Sequence, residues 1–410
     1  MLQRGYNLIR ELGKRNQVHL LAFVHPDVLS TTALVEESKA ELGQHCEFVE
    51  YFTLWPKKSR LHRVAGLAWG ALSRLPFSAL AHRSHAFRAR VDELAASGAL
   101  DLVHYDTLAL AQYADLASGT PKVLTHHNIE SQLMERRAAR EAGAAARWYV
   151  RQQARKIRDF ELNECRRFDL NVLVSEVDAL SLTSMLPGLR VAVVPNGVDT
   201  DYFEAKRAGG DENAPSLIYT GGMNMFANRD AVLYFASEVW PSIRREVPGA
   251  RFYAVGQDPP VELRKLAEAD RSVIVTGYVD DIRPLVAAAA VYVVPLRVGG
   301  GTRLKILDAM AMRRAIVSTS VGAEGIRATP GRHIVIADEP GDFARRTVEL
   351  LRDPARRRLL GDEARALVER EYAWGIVARR LEEAYEAAVA ASRGREGGQR
   401  AARTDSQCAA

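Results

Sequence analysis

The chain has 410 residues, 47% of them hydrophobic, and sets 56 basic against 51 acidic residues for a formal net charge of +5. This composition excludes a globally disordered chain, and the usual domain size of roughly 150 residues makes two domains the first expectation. So small a net charge also argues against nucleic acid as the partner.

Cys46, Cys165 and Cys408 are scattered without CxxC spacing, so they frame no disulfide or zinc site and fit a reducing, cytoplasmic setting. The weakly polar run over 285–296 is too short to span a bilayer.

In chain order, a helix is expected over 2–15, leading into the strand VHLLAFV from Val18. An α/β half ordinarily opens with a strand and a glycine turn. This half is therefore read as lacking its first strand, with the natural start upstream, because a bare sheet edge is costly. Between Tyr51 and Val91 eight basic residues occur without one acid, interleaved with Trp55, Trp69, Phe77 and Phe87. Residues 54–90 are accordingly a candidate peripheral contact with anionic membrane, beside the commoner outcome of helices with a charged outer face.

The strands DLVHYD from Asp101, KVLTH from Lys122 and LNVLVS from Leu170 continue the alternation of short β-branched runs with helical stretches, which argues for βαβ units and parallel sheets. At the end of the second of these lie His126, His127, Asn128 and Glu130. An imidazole there suits a donor sugar or an acceptor hydroxyl; the alternative is a pair of surface histidines, with Asn128 capping the next helix. The domain boundary is placed at VVPNGVDTDYF from Val193. Asp199 and Asp201 lie there with no third oxygen ligand spaced nearby, so no metal site is assigned.

The rhythm resumes in SLIYTGG from Ser216, RFYAVG from Arg251, SVIVTG from Ser272, VYVVPL from Val291 and AIVSTS from Ala315. Ligands of open α/β sheets bind beyond the carboxyl ends of the strands, where glycine permits close approach. Gly221, Gly222 and Asn224 form one such turn. The segment from Val294 to Gly325 is richer: Gly299, Gly300 and Gly301 make a side-chain-free loop, Thr302 is expected to cap a helix running to Met312, and Arg303 and Lys305 add charge in its first turn. Cations are unfavourable at a helix N-terminus unless an anion compensates them, which points to a phosphate site. Asp308, one turn on, suits ribose hydroxyls; its bland reading is an ion pair with Lys305 or Arg303. Neither the P-loop nor the GxGxxG signature fits. A last helix is expected over 374–391, followed by a disordered tail over 392–410.

With these residues in view, the chain resembles glycosyltransferase family 4, the glycosyl transferases group 1, in VVPNGVDTDYF, LIYTGGMNMFANRDAVLYF, VTGYVDDIRPLVAAAAVYVVPL, GGGTRLKILDAMAM, the GAEG turn and, in the first half, LTHHNIES. The resemblance implies a GT-B fold, two Rossmann-like βαβ domains facing across a cleft: an acceptor-side domain over 1–192, a nucleotide-sugar domain over 193–373, and a helix over 374–391 crossing back. It implies retaining, metal-independent hexosyl transfer from a nucleotide sugar that is co-substrate, so that no cofactor is called for.

Carried over by position, His127, Arg303 and Lys305 are the catalytic candidates. The substrate-binding set is Gly221, Gly222, Asn224, Val279, Gly300, Gly301, Thr302, Asp308, Glu324 and His126. The family's paired acids depart here to Gly300 and Asp308, and its turn cations are replaced around Gly222 and Asn228. A lipid-linked or polysaccharide-precursor acceptor, met at the inner face of the cell membrane, completes this reading. A nucleotide-sugar epimerase and a catalytically inactive, membrane-associated binding protein are the alternatives.

Overall fold

Parallel strands that alternate with helices need long crossovers and become buried on both faces, and this logic organises the computed structural model, which describes residues 2–26, 28–57, 60–141, 143–204, 214–299 and 302–408. The chain forms two compact units, one of Met1–Val194 with Val377–Ala410, the other of Pro195–Ile376. No described helix is long and apolar enough to cross a membrane.

The first unit enters through helix α1 (Leu2–Leu12) and strand β1 (His19–Val24), which pairs in parallel with β2 (Phe48–Thr53). Helix α2 (Arg60–Leu72) follows. Then β3 (Val103–Tyr105), β4 (Lys122–His126), helices α3 (Glu130–Arg140) and α4 (Ala144–Glu164), β5 (Leu170–Leu173) and β6 (Val191–Val193) build a second parallel sheet in the order β3-β4-β5-β6. Among the described residues no strand joins β1 to β3. The two sheets nevertheless share one core, in which Phe87, Tyr105, Leu124, Ile157 and Leu173 are buried and Leu21, Phe23 and Phe52 pack from the smaller sheet.

In the second unit β7 (Ser216–Thr220), helix α5 (Phe226–Tyr234), β8 (Arg251–Val255), β9 (Val273–Gly277), β10 (Val291–Val294), helix α6 (Leu304–Ala311), β11 (Ala315–Ser318), the turn of helix α7 (Ser320–Ala323) and β12 (Val335–Ile336) follow in sequence. The six strands are parallel, ordered β12-β11-β10-β7-β8-β9. Their register sets Leu217 of β7 against Phe252 on one side and Val291 on the other. Every residue of β7, β10 and β11 is buried, which is why these strands read as unbroken apolar runs rather than alternating ones.

Helix α8 (Trp374–Cys408) closes the chain. Among the described residues the helix continues to Cys408, through positions where the sequence leads one to expect a tail. Within the first unit, Glu382 of α8 accepts from Arg15 (2.7 Å) and Asn16 (2.8 Å) just past α1, and Tyr385 meets His104 of β3.

Candidate active site

The strand order of the second unit reverses direction between β7 and β10. Loops leaving two such neighbours diverge, and the crevice between them is where open α/β sheets bind ligands. Both glycine turns singled out in the sequence leave from these two strands.

After β7, Gly221 takes φ +154°, in the region that favours glycine. A Cβ there would stand 2.5 Å from the Lys305 ammonium and 3.0 Å from Asn228 Nδ2, so the missing side chain is the space the lysine occupies. The neighbouring β8 turn is stitched to it: Gly221 N donates to Val255 O (2.9 Å) and Met223 N to Gln257 O (2.9 Å). After β10, Arg297 is tied to Asp230 of α5 (2.8 Å) and lies over the Tyr234 ring (4.3 Å), anchoring the loop. Gly299 then passes so close over the Arg303 guanidinium that a Cβ would collide with it. Gly300 and Gly301 lie outside the described residues.

Helix α6 starts later than expected. Arg303, not Thr302, holds the N-cap position, with φ −87° and ψ 98°, and no side chain caps the helix. Thr302 is instead buried, its carbonyl accepting from Asn196 Nδ2 (3.3 Å).

Lys305 reaches back from the first turn of α6 over the Tyr219 ring (4.4 Å). Its Nζ donates to Asn228 Oδ1 (2.9 Å) and to the Tyr219 hydroxyl (3.2 Å). Tyr219 donates to the same Oδ1 (2.9 Å), while Asn228 Nδ2 donates to Gly222 O (2.9 Å). One asparagine thus fixes the lysine, the tyrosine and the glycine turn together. No carboxylate among the described residues pairs with Lys305, so the bland reading, an ion pair with Asp308, does not hold for it. Burial, and then the charge of Arg303, push the Lys305 ammonium down to about 7, against a smaller upward pull from Asp308. A desolvated cation with no carboxylate in contact among the described residues is costly in isolation and well matched to an incoming anion.

Of the other expected residues, Asp308 is half-buried one turn further along α6, and its charge acts on Lys305 and Tyr292. Asn224 is exposed, with its Oδ1 beside Gly222. Val279 packs half-buried on the second unit's core after β9. Glu324 is half-buried at the end of α7, whose own cap is Thr319. Asp199 accepts from Tyr202 N (2.9 Å) and so closes a turn.

In the first unit, the two histidines separate. His126 is 1% exposed and faces the core, where its Nε2 meets Asn171 Oδ1 (2.9 Å); burial pushes it down to about 4. Its assignment to ligand binding finds no support here, because His126 ends a strand buried on both faces and is enclosed in the core. His127, one residue on, is 12% exposed. Its Nε2 donates to Asp106 O (2.7 Å), and Asp106 Oδ1 lies at 3.5 Å. A neutral imidazole protonated at Nε2 keeps its Nδ1 lone pair as an acceptor. Asn128 does not cap α3. Glu161 of α4 does so from a distance: Oε1 accepts from Glu130 N (2.7 Å) and Ser131 N (3.3 Å), and Oε2 from the Ser131 hydroxyl. Burial, reinforced by Glu161, pushes the Glu130 carboxyl up to about 7.

The family model for Glycosyltransferase Family 4 matches residues 5–202, and that for Glycosyl transferases group 1 matches residues 214–353. Among curated relatives, the chain is 25% identical over 140 residues to an uncharacterized 44.6 kDa protein in the cps region of Klebsiella pneumoniae, covering 32% of this chain and 36% of that protein. It is 27% identical over 210 residues to a GDP-mannose-dependent monoacylated alpha-(1-6)-phosphatidylinositol monomannoside mannosyltransferase of Corynebacterium glutamicum, covering 46% and 54%. The matches therefore span about half or less of these relatives' lengths.

Similar solved structures include sucrose-phosphate synthase from Thermosynechococcus elongatus (TM-score 0.66, 18% identity, 92% of this chain and 100% of that one). HepE from Anabaena in complex with UDP is similar as well (TM-score 0.64, 16%, 93% and 96%). A third is a glycosyltransferase from Rickettsia africae (TM-score 0.65, 12%, 95% and 95%). At these identities the likeness shows the fold, which is GT-B. With one family model lying on the first unit and the other on the sheet that carries Lys305, the chain belongs to the glycosyltransferase family 4 and group 1 glycosyl transferases.

Proposed function

We infer that the protein transfers a hexose from a nucleotide-diphosphate sugar to an acceptor hydroxyl, with retention of anomeric configuration and without a metal. The observation that carries this reading is Lys305: a cation without a carboxylate partner, seated between the β7 and β10 loops at the switch point of a parallel sheet.

In the reaction, the bond between the anomeric carbon and the β-phosphate oxygen breaks and negative charge gathers on the departing diphosphate. Lys305 and Arg303 stabilise that charge, and being already held in place they cost little reorganisation when it appears. The acceptor oxygen bonds to the anomeric carbon on the same face, and its proton leaves with the diphosphate. Asp308 is the group for the ribose hydroxyls, and the His127 Nδ1 lone pair is the acceptor for a sugar hydroxyl.

Support for the donor class comes from relatives whose names include UDP-glucose and GDP-mannose; they differ in base, so the base is a matter for experiment. Relatives named for a cps region and for a phosphatidylinositol mannoside favour a lipid-linked or polysaccharide-precursor acceptor, met in the cytoplasm.

The test is a panel of UDP- and GDP-sugars with candidate acceptors, reading diphosphate release with and without chelator and the anomeric configuration of the product by NMR. Chelator-insensitive release with a retained configuration is expected. Failure of the wild-type chain to bind any nucleoside diphosphate would sink the reading.

A further inference from the structure

Helix α2 presents the wrong side to water. Leu61 (81%), Val64 (66%), Leu67 (48%), Trp69 (46%) and Leu72 (86%) are exposed. The side laid against the protein is made by Gly66 and Gly70, where added Cβ atoms would stand 3.0 Å from the Phe77 ring and 3.0 Å from the Tyr149 hydroxyl. Single exposed apolar residues are ordinary, but five large ones on one short helix form a patch that wants a partner.

The orientation is held by α4. Gly70 O accepts from Gln153 Nε2 (2.9 Å) and Lys156 Nζ (2.8 Å), and Ala71 O from Gln152 Nε2 (2.9 Å) and Lys156 Nζ (2.9 Å). A cation and two amides thus satisfy the carbonyl end of the helix and complement its dipole. With the glycine face seated and this end clamped, α2 has no freedom to roll its leucines inward.

The chemistry of the partner follows from charge. The helix has no acid in its first turn, and the sequence puts Arg60 and Arg63 there, against the helix dipole unless an outside anion answers them. Arg74, two residues past its end, is exposed and makes no ion pair among the described residues. Further along, Arg88 is neutralised by Asp115 (2.7 Å) and Arg90 by Glu50 (2.9 Å) and Glu93 (2.7 Å). The sequence from 51 to 91 thus brings basic residues and no acid to the apolar helix, with Arg74 exposed beside it, which is the pattern of an interfacial helix on anionic lipid.

We propose that α2 is a membrane-docking helix, lying in the plane of an anionic bilayer with Leu61, Val64, Leu67 and Leu72 in the acyl boundary and Trp69 at headgroup level. The assignment does not rest on the donor reading, whose carrying residue, Lys305, lies in the other unit.

The full chain is sedimented with phosphatidylglycerol-containing vesicles and with pure phosphatidylcholine vesicles. Wild type is expected to partition roughly tenfold better onto the anionic vesicles, and the triple substitution Leu61→Ser, Val64→Ser, Leu72→Ser to lose that binding while UDP or GDP affinity stays unchanged. Arg74→Glu is expected to weaken binding about fivefold. Equal sedimentation of wild type and the triple variant would overturn the proposal. So would a concentration-dependent dimer in the absence of vesicles that the same substitutions abolish, since the patch would then be a contact between copies.

Discussion

Three titratable groups of the first unit, His104, His126 and Glu161, are held by hydrogen bonds from their own unit, whereas the charge of Lys305 in the second unit has no carboxylate in contact among the described residues. In the first, Thr125 and Tyr385 hold the two nitrogens of His104, Asn171 holds His126, and Glu161 holds the start of α3. In the second, Lys305 is held by neutral oxygens only, and the Asp308 charge acts on it from one turn along α6 without an ion pair. The first arrangement suits a fixed structure, and the second, on the proposed function, suits an incoming anion.

Breaking the contrast from the second unit gives the largest expected effect. Lys305→Ala removes a charge-assisted contact to diphosphate, for which about 1.5–3 kcal/mol is typical, so UDP or GDP affinity should fall about 10- to 150-fold by calorimetry. Thermal stability should hold or rise, because a desolvated cation has gone. From the first unit the reverse is expected. Glu161→Ala leaves the amides of Glu130 and Ser131 and the Ser131 hydroxyl without their acceptor and should lower unfolding free energy by about 1–3 kcal/mol in urea titration, with nucleotide affinity unchanged. A lysine variant that unfolds, or a glutamate variant that loses nucleotide, would erase the distinction.

Asn228→Ala sharpens it further. The contacts of its side chain to Lys305, Tyr219 and Gly222 are neutral or indirect, so a loss of about 1 kcal/mol is expected, read as roughly fivefold weaker nucleotide binding with the fold intact.

The smallest signal is a proton. In the free protein Lys305 titrates near 7 rather than at its ordinary 10.5, and a bound diphosphate raises it. At pH 8 binding should therefore take up close to one proton, seen as calorimetric heats that vary with buffer ionisation enthalpy, and Lys305→Ala should abolish the uptake. The sign for stability follows: between about 7 and 10.5 the unfolded chain holds more protons at this group than the folded one, so the unliganded protein gains stability from it as pH rises through that window.

Much of this was legible in the sequence because apolar periodicity and glycine are local signals. KVLTH became β4 residue for residue, and the runs from Ser216, Arg251, Ser272, Val291 and Ala315 all became strands of one sheet. Strands β2, β6 and β12 escaped notice. FVEYFT is half-buried on a two-stranded sheet, VAV merges with the boundary segment, and Val335–Ile336 is only a two-residue strand. The clustering of cations beside the triple glycine was likewise visible, since a basic first turn without acids is locally unfavourable.

What the sequence determined by itself was the alternation of elements and the α/β fold class with its parallel sheets, properties of residues near one another in the chain. Only the tertiary structure decided that Lys305 leans on Asn228 and Tyr219, seventy-seven and eighty-six positions away, that Glu161 rather than Asn128 caps α3, and that α2 turns its leucines outward. The reason is physical: hydrogen-bond partners and exposed faces are set by which strands and helices become neighbours, and parallel crossovers bring together residues that no local pattern links.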